Sequence, residues 1–225
     1  MLHLSDQNFI HPETKLYRNN AQFQAFPNHE EVKFNNEQFF AIGKLNVKDI
    51  VKDCADDVFL GYPPSEWLAE QEYITYALID GQWQLDVDDL DEWEFDFEDE
   101  QARYDDVKAF HNEHGFIQYH PNDEPDESRK SGLVNIGGQA PTGWNWDAYL
   151  WENEEESDAL FDASEDKESE ESQAILKRAI IMKVDGDIYH YIAHVQCMNY
   201  AESSADLIYF YNPQKKRVVM GVDYS

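Results

Sequence analysis

The C-terminal third of the chain restricts the possible folds more than any other part. The stretch RAIIMKVDGDIYHYIAHVQCMNY contains two apolar runs around Asp185–Gly186, and ADLIYFYNPQKKRVVMGVDYS contains two more around Asn212–Pro213–Gln214. β-Branched and aromatic residues favour strands, and these turn residues favour a chain reversal between strands. The segment therefore predicts a four-stranded antiparallel meander that runs to the C-terminus.

Two elements with different periods are predicted upstream of the meander. Residues 47–58 have apolar side chains at helical spacing, which predicts an amphipathic helix that stops near Gly61 and Pro63. The apolar positions of this predicted helix are Val47, Ile50, Val51, Cys54 and Val58. The run EYITYALIDGQWQLDV instead predicts a β-hairpin around Asp80–Gly81.

The middle of the chain contains one further predicted helix and one low-complexity segment. EDEQARYDDVKAFHNEHG is typical of a helix, with Ala102, Val107 and Phe110 on one stripe and Gly115 as its stop. Residues 152–172 are strongly acidic, with eleven carboxylates in the twenty positions 152–171. So many like charges predict a mobile acidic loop or a frayed helix rather than a packed element.

The chain shows no internal repeat and no linker rich in Pro, Gly or Ser. Its hydrophobic content of 42% and aromatic content of 14% are sufficient for a packed core in a chain of 225 residues. We therefore predict a single α+β domain over residues 1–225, with an antiparallel sheet that includes the C-terminal meander and with two or three helices.

The net charge of the chain limits the classes of molecule that it is expected to bind. There are 47 acidic and 17 basic residues, which give a formal net charge of -30. Such a surface repels nucleic acids and anionic membranes, and it attracts cations and basic proteins at rates that fall with rising salt. A basic protein is therefore the expected partner, with no direct binding to nucleic acid or membrane. Solubility of the protein is the alternative role of the charge.

The segment DEWEFDFE alternates strictly between acidic and aromatic residues. A period of two is typical of a half-buried strand, so Trp93, Phe95 and Phe97 are expected to face the core. The acidic residues then lie on the solvent side. They are the candidate partner-binding residues Glu92, Glu94, Asp96 and Glu98.

Cysteine content and the N-terminal sequence indicate a cytoplasmic protein. Only Cys54 and Cys197 are present, which is too few for a disulfide framework and fits a reducing compartment. The first residues, MLHLSDQNFI, lack the basic and apolar regions of a signal peptide. No apolar run approaches the length of a transmembrane helix.

The segment NIGGQAPTGWNW and the β runs that follow it resemble the YwqG-like family of bacterial proteins. The resemblance covers at most about the C-terminal 90 residues. Its matching positions are Gly137, Gly138, Pro141 and Trp144, and then Asp206, Leu207, Ile208, Tyr209 and Phe210. Ala140 is an extra residue before the proline, and Ala205–Asp206–Leu207 lacks the glycine of the family pattern. The resemblance implies a fold class rather than a chemistry.

Histidines provide the candidate metal ligands. His111, His114 and His120 are spaced H-x2-H-x5-H, and a helix would place the first two on one face. The pattern matches neither H-E-x-x-H nor H-x-x-E-H, and solvent-exposed helix histidines are the simpler interpretation. His190 and His194 lie in a predicted strand, where they would share a face about 13 Å apart, too far for one ion.

Nucleophilic catalysis has one candidate, Cys197, with His194 and Asp206 nearby in sequence. Catalytic triads are defined by geometry rather than by sequence proximity, and cysteine is among the residue types most often buried. No GxSxG, P-loop or GxGxxG motif is present, and the segment DVDDLDEWEFDF lacks the glycine of a calcium-binding EF-hand loop.

These features together predict a non-enzymatic acidic binding protein without a cofactor, of the kind that acts as an immunity-type inhibitor of a basic partner protein. Three alternatives are open. They are a DNA-mimic protein, a hydrolase or metal-dependent enzyme that uses the histidine cluster, and an acidic protein with a housekeeping role.

Overall fold

A computed structural model describes residues 1–224, in which short strands alternate with three α-helices. The first strands are β1 (Leu2–Asn8), β2 (Thr14–Leu16), β3 (Phe23–Ala25), β4 (Phe40–Asn46), β5 (Asp57–Tyr62), β6 (Ile74–Ile79) and β7 (Gln82–Leu85). Next come α1 (Glu98–His114), β8 (Ile117–Gln118), β9 (Lys130–Ser131), β10 (Val134–Ile136), α2 (Glu154–Glu165) and α3 (Glu170–Ile175). The last strands are β11 (Arg178–Val184), β12 (Asp187–Gln196), β13 (Ala205–Asn212) and β14 (Arg217–Tyr224).

The predicted C-terminal meander is confirmed and forms the centre of a nine-stranded sheet. Its strand order is β1-β11-β12-β13-β14-β6-β7, and β10 and β2 continue the sheet beside β12. The hairpin turns predicted at Asp80–Gly81 and Asp185–Gly186 are present, and all four residues have positive φ angles. Two residues with positive φ form the type I′ turn that matches the twist of a two-stranded hairpin. The α+β class with an antiparallel sheet is thus confirmed.

Each face of the central sheet covers a separate hydrophobic core. On one face, alternate residues of β12 to β14 pack against the three-stranded sheet β3-β4-β5 and against α1 in the larger core. On the other face, Ile208, Phe210 and Val219 pack against Trp146 and Leu150 in the smaller core. This division follows from the alternation of side chains along a strand.

Helix α1 agrees with the sequence prediction at its end but not at every position of its stripe. Gly115 follows the helix with φ 72° and its N–H donates to the carbonyl of His111, which is the expected glycine stop. Val107 and Phe110 are buried as predicted. Ala102 is exposed, and the neighbouring Tyr104 is buried instead, with its hydroxyl donating to the carbonyl of Ala41.

The helix predicted for residues 47–58 is wrong. The chain makes a single turn after Val47 and then continues into strand β5. Asp53, with φ 55°, has the left-handed conformation that ends a right-handed helix. Val47, Ile50 and Val51 are nevertheless buried in the larger core, so their spacing reflects burial rather than helix.

The strand predicted for residues 92–98 is also wrong, although its two sides are as expected. Residues 90–92 form a 3₁₀ turn, and only Phe95 makes a bridge, to Ser65. Trp93 is buried, whereas Phe95 and Phe97 are half-buried against the larger core. The backbone is therefore extended with alternating sides, but no neighbouring strand forms a ladder with it.

Residues 152–172 contain helices α2 and α3, so of the predicted loop and helix the structure has helix, and part of it is packed. The side chain of Asn153 accepts from the N–H of Glu155, and that of Ser169 accepts from the N–H of Ser172, so both helices have N-caps. Acidic residues in the first turn also interact favourably with the helix dipole. Leu160 and Ala163 are buried, which fixes α2 on the molecule.

Candidate functional site

The four predicted partner-binding residues lie on the surface as expected. Glu92, Glu94, Asp96 and Glu98 are all exposed; these four residues are called the acidic segment below. The aromatic residues between them face the core and offer little surface to a partner. Asp96 also has a structural role, because its Oδ1 accepts from the N–H of Glu98 at 2.9 Å, at the start of α1.

A cavity of about 640 Å³ lies beside one end of the acidic segment. Of the acidic segment only Glu92 lines it, together with the side chains of Trp67 and Trp93. Further carboxylates surround the same space, and we call it the acidic cavity. They belong to Glu70, Glu72, Asp88, Asp89 and Asp185.

The cavity wall also contains a compensated ion pair. Nε of Arg217 lies 2.6 Å from Oδ2 of Asp86, and its Nη2 donates to the hydroxyl of Thr75 at 3.0 Å. Both charged side chains are mostly buried, with 24% and 22% of their surfaces exposed. Burial raises the pKa of Asp86, and the interactions with Thr75 and Arg217 limit that rise.

The three candidate metal-binding histidines have different surroundings. His111 is buried and its ring packs against Phe26, with a centroid separation of 5.3 Å. His114 packs on Phe110, and His120 is exposed beside Tyr119. Within residues 1–224, no three His, Cys, Asp or Glu side chains are arranged to hold a metal ion.

Cys197 does not have the surroundings of a nucleophile. It is fully buried in the larger core, and burial raises the pKa of its thiol well above the ordinary value. A nucleophilic cysteine needs the opposite shift, toward the thiolate. His194 faces the smaller core, on the other side of the sheet, so the two residues do not form a pair.

The predicted common face of His190 and His194 is wrong because β12 contains a bulge. Tyr191 pairs with Phe210 and Ala193 with Tyr209, so Ile192 is an extra residue in the ladder. An extra residue reverses the alternation of the side chains that follow it. His190 therefore lies opposite Tyr211 on one face, and His194 lies opposite Ile208 on the other.

The bulge places His194 in a polar patch on the face that also carries the smaller core. Directly paired residues of an antiparallel sheet share a face. A row across five strands consists of Lys15, Asn135, His194, Ile208 and Gly221. A second row beside it consists of Gln196, Asp206 and Asp223.

These polar residues line two adjoining hollows of about 500 and 400 Å³, which share Trp144 and Asp206 and which we call the sheet-end cleft. Trp144 stands edge-on to the ring of His194, with centroids 6.0 Å apart. Its backbone N–H donates to Oδ1 of the buried Asp147 at 2.9 Å, which fixes the loop over the sheet. Gly221 allows this approach, because a Cβ there would lie 2.6 Å from the ring of Trp146.

The ionisable groups of the sheet-end cleft have displaced pKa values. Burial, with a smaller contribution from Lys15, lowers the pKa of His194 to about 4. Its ring nitrogens lie 2.9 Å from Nδ2 of Asn135 and 3.3 Å from the hydroxyl of Tyr191. Burial, with added repulsion from Asp223, raises the pKa of Asp206 to about 6. Strong shifts of this kind cluster at functional sites.

Sequence reasoning identified only part of this cleft. Trp144 and Asp206 were among the positions that carry the family resemblance, and His194 was considered as a metal ligand or catalytic base. Asn135, Gln196 and Asp223 were missed, because their proximity depends on strand register. The turn signal in YNPQKKR, which sets β14 against β13, is the one local feature that could have placed Asp223 near Asp206.

No protein-family model, no curated protein and no solved structure matched this chain. The YwqG-like resemblance therefore stays a prediction. Among the helices of residues 1–224, none has the length and apolar character needed to cross a bilayer.

Proposed function

We propose that this chain is a non-enzymatic acidic binding protein that recognises a basic protein through the acidic segment, in the manner of an immunity-type inhibitor. The observation that supports it most directly is the exposure of Glu92, Glu94, Asp96 and Glu98 around aromatic residues that face the core. A surface of this kind offers carboxylates to a partner on a backbone that is fixed from behind.

The wider charge distribution supports the same proposal. The acidic cavity extends the acidic surface from Glu92 to a concave region lined by the half-buried Trp67. Carboxylates increase the rate of encounter with a basic partner, and tryptophans in a pocket are frequent centres of binding free energy. The net charge of -30 acts in the same direction over a longer range.

The test is a capture experiment with three forms of the tagged protein, each eluted with a rising salt gradient from a lysate of the source organism. The forms are the natural chain, a segment variant with Glu92→Gln, Glu94→Gln, Asp96→Asn and Glu98→Gln, and a control variant. The control has Asp158→Asn, Asp162→Asn, Glu165→Gln and Asp166→Asn, at exposed positions in and just after α2. Both variants lose four negative charges, and Asn at position 96 keeps an acceptor for the N–H of Glu98.

We expect one stoichiometric basic protein to stay bound to the natural chain and to the control beyond about 0.5 M salt, where the Debye length has fallen to a few ångströms. The segment variant should release that protein at lower salt, because the carboxylates next to the contact are gone. Diffuse release of many basic proteins at low salt from all three forms would instead show that the charge serves solubility.

A further inference from the structure

We propose that the sheet-end cleft is a binding site for an organic cation with a primary ammonium group, held by the carboxylates of Asp206 and Asp223 against the ring of Trp144. This site is separate from the proposed contact with a basic protein. Asp223 lies six residues along β14 from Arg217 in the wall of the acidic cavity, a separation of about 20 Å at the rise of a strand.

The first observation is an uncompensated pair of carboxylates. Asp206 and Asp223 are direct partners across β13 and β14, so their side chains lie on one face about 5 Å apart at the backbone. Like charges directly opposite each other destabilise a sheet. Within the described part of the chain neither carboxylate forms an ion pair. A bound cation would remove the repulsion.

The second observation is a carboxylate oxygen of Asp223, at the lining of the cleft, that has no donor among residues 1–224. The residue is only 3% exposed, and its Oδ1 accepts from the N–H of Trp146 at 2.9 Å. No donor among residues 1–224 contacts Oδ2, although Asp223 lines the cleft. Carboxylate oxygens in such places are normally hydrogen-bonded, so Oδ2 is available to the N–H groups of a ligand.

The third observation is the aromatic wall. Trp144 is 37% exposed, lines both hollows of the cleft, and its ring lies at 87° to that of His194. Trp is the most favourable aromatic partner of a cation that lies over its ring. Asp147 holds this part of the loop through the N–H groups of Gly143 and Trp144, so the ring is positioned before a ligand arrives.

The remaining charges of the cleft favour a cation. His194 is neutral near pH 7, because burial lowers its pKa to about 4. Lys15 lies three strand spacings from β13, about 14 Å, and its Nζ is directed over the ring of Tyr17 at 5.9 Å. Glu13 adds a third carboxylate to the lining.

An ammonium fits this arrangement better than a metal ion. The described residues contain no group of three metal-ligating side chains, whereas two carboxylates and a tryptophan face suit a compact donor with three N–H groups.

The experiment is an NMR titration of the isotope-labelled protein with n-butylammonium chloride at constant ionic strength and pH 7.5. n-Butanol is the neutral probe of the same shape, and sodium chloride is the probe for a simple ion. Asp206→Asn and Asp223→Asn remove one charge each from the cleft, and Glu92→Gln removes one from the acidic segment as the matched control. Asn at position 223 keeps an acceptor for the N–H of Trp146. Asp206 forms no side-chain hydrogen bond with the described residues, so Asp206→Asn tests the site if Asp223→Asn unfolds.

We expect saturable shifts of the Trp144 indole and of the amides of Gln196, Asp206 and Asp223 with butylammonium alone. The affinity should fall at least fivefold in either cleft variant and should not change in Glu92→Gln. Binding should also weaken several-fold between pH 7.5 and pH 5, as Asp206 takes up a proton. Shifts spread over many acidic residues without saturation, equal binding of n-butanol, or unchanged affinity in both cleft variants would overturn the proposal. None of these outcomes bears on the acidic segment, which the capture experiment tests separately.

Discussion

A mostly buried carboxylate lies at each end of strand β14, and the two differ in the charge of their neighbour. Arg217 and Asp223 lie on the same face, because residues two, four and six positions apart on a strand point the same way. At the first end, the charge of Asp86 is neutralised by Arg217, which also donates to the hydroxyl of Thr75. At the other end, Asp223 lies directly opposite Asp206.

The smaller core separates these two ends. Val219 and Gly221 lie between them on β14, covered by Phe210 and by the ring of Trp146. Apolar packing is therefore continuous along this face of the sheet, whereas the pairing of charges differs between its two ends. Removing one partner of a matched buried pair is costly, whereas a repelling pair already costs stability in the folded chain.

The largest effect that distinguishes the two ends is expected for loss of charge at Asp86. In Asp86→Asn, Arg217 stays mostly buried and loses its counter-charge. Removing one partner of such a pair costs about 3 kcal/mol of the free energy of unfolding. Urea unfolding followed by circular dichroism at pH 7 measures this change.

The matched substitution at the other end is Asp223→Asn. It removes the repulsion with Asp206 and keeps an acceptor for Trp146, so we expect a change within about 1 kcal/mol. An equal loss of stability in both variants would show that the two ends are equivalent and would remove the contrast.

The regions that sequence predicts well are those whose signals are local. The meander follows from apolar runs and from Asp185–Gly186, whose positive φ angles are a property of the turn itself. The glycine stop of α1 is local in the same sense. The helix predicted from the apolar spacing of residues 47–58 is wrong. The apolar residues of this segment are buried by tertiary packing around a single turn, and the turn ends at Asp53.

The sheet-end cleft depends mostly on strand register. The opposition of Asp206 and Asp223 results from the register of β13 and β14, and the turn signal in YNPQKKR, which joins these two strands, is its one local cue. The face of His194 depends on one extra residue, Ile192, which has no distinctive sequence signal. In the acidic segment, the alternation of residue types was sufficient to predict which side chains are exposed. It could not predict that the neighbouring part of the chain forms only one bridge, between Ser65 and Phe95, instead of a paired strand.

A second, smaller difference concerns the response of the cleft to acid. The pKa of His194 is lowered by burial to about 4, below the value of about 6.5 for an unfolded chain. Between these values the unfolded state binds a proton that the folded state does not bind, so stability falls as the pH falls. His194→Gln should therefore lose about 2 kcal/mol less than the natural chain between pH 7 and pH 4.5.

Unfolding free energies of both proteins at several pH values test this expectation. The pKa values of His111 and His190 are also lowered by burial, and these residues are present in both proteins. The difference between the two curves thus isolates His194. Parallel curves would mean that the imidazole is hydrated in the folded state, and that the cleft is more open than its geometry indicates.

The smallest and most specific effect is expected for the pKa of Asp206. Burial is the main cause of its rise to about 6, and Asp223 adds to it. In Asp223→Asn the pKa should fall below 6 but should stay above the ordinary value of about 3.9, because the residue is still buried. Carboxyl carbon shifts recorded between pH 3 and pH 8 measure both values.

The sign of the linked stability follows from the direction of this shift. A carboxyl group with a raised pKa contributes most to stability below its unfolded pKa and loses that contribution as the pH rises through about 6. Removing Asp223 should make this loss smaller. If the pKa of Asp206 is the same in both proteins, the two carboxylates do not interact, and the repulsion that a bound ammonium would relieve does not exist.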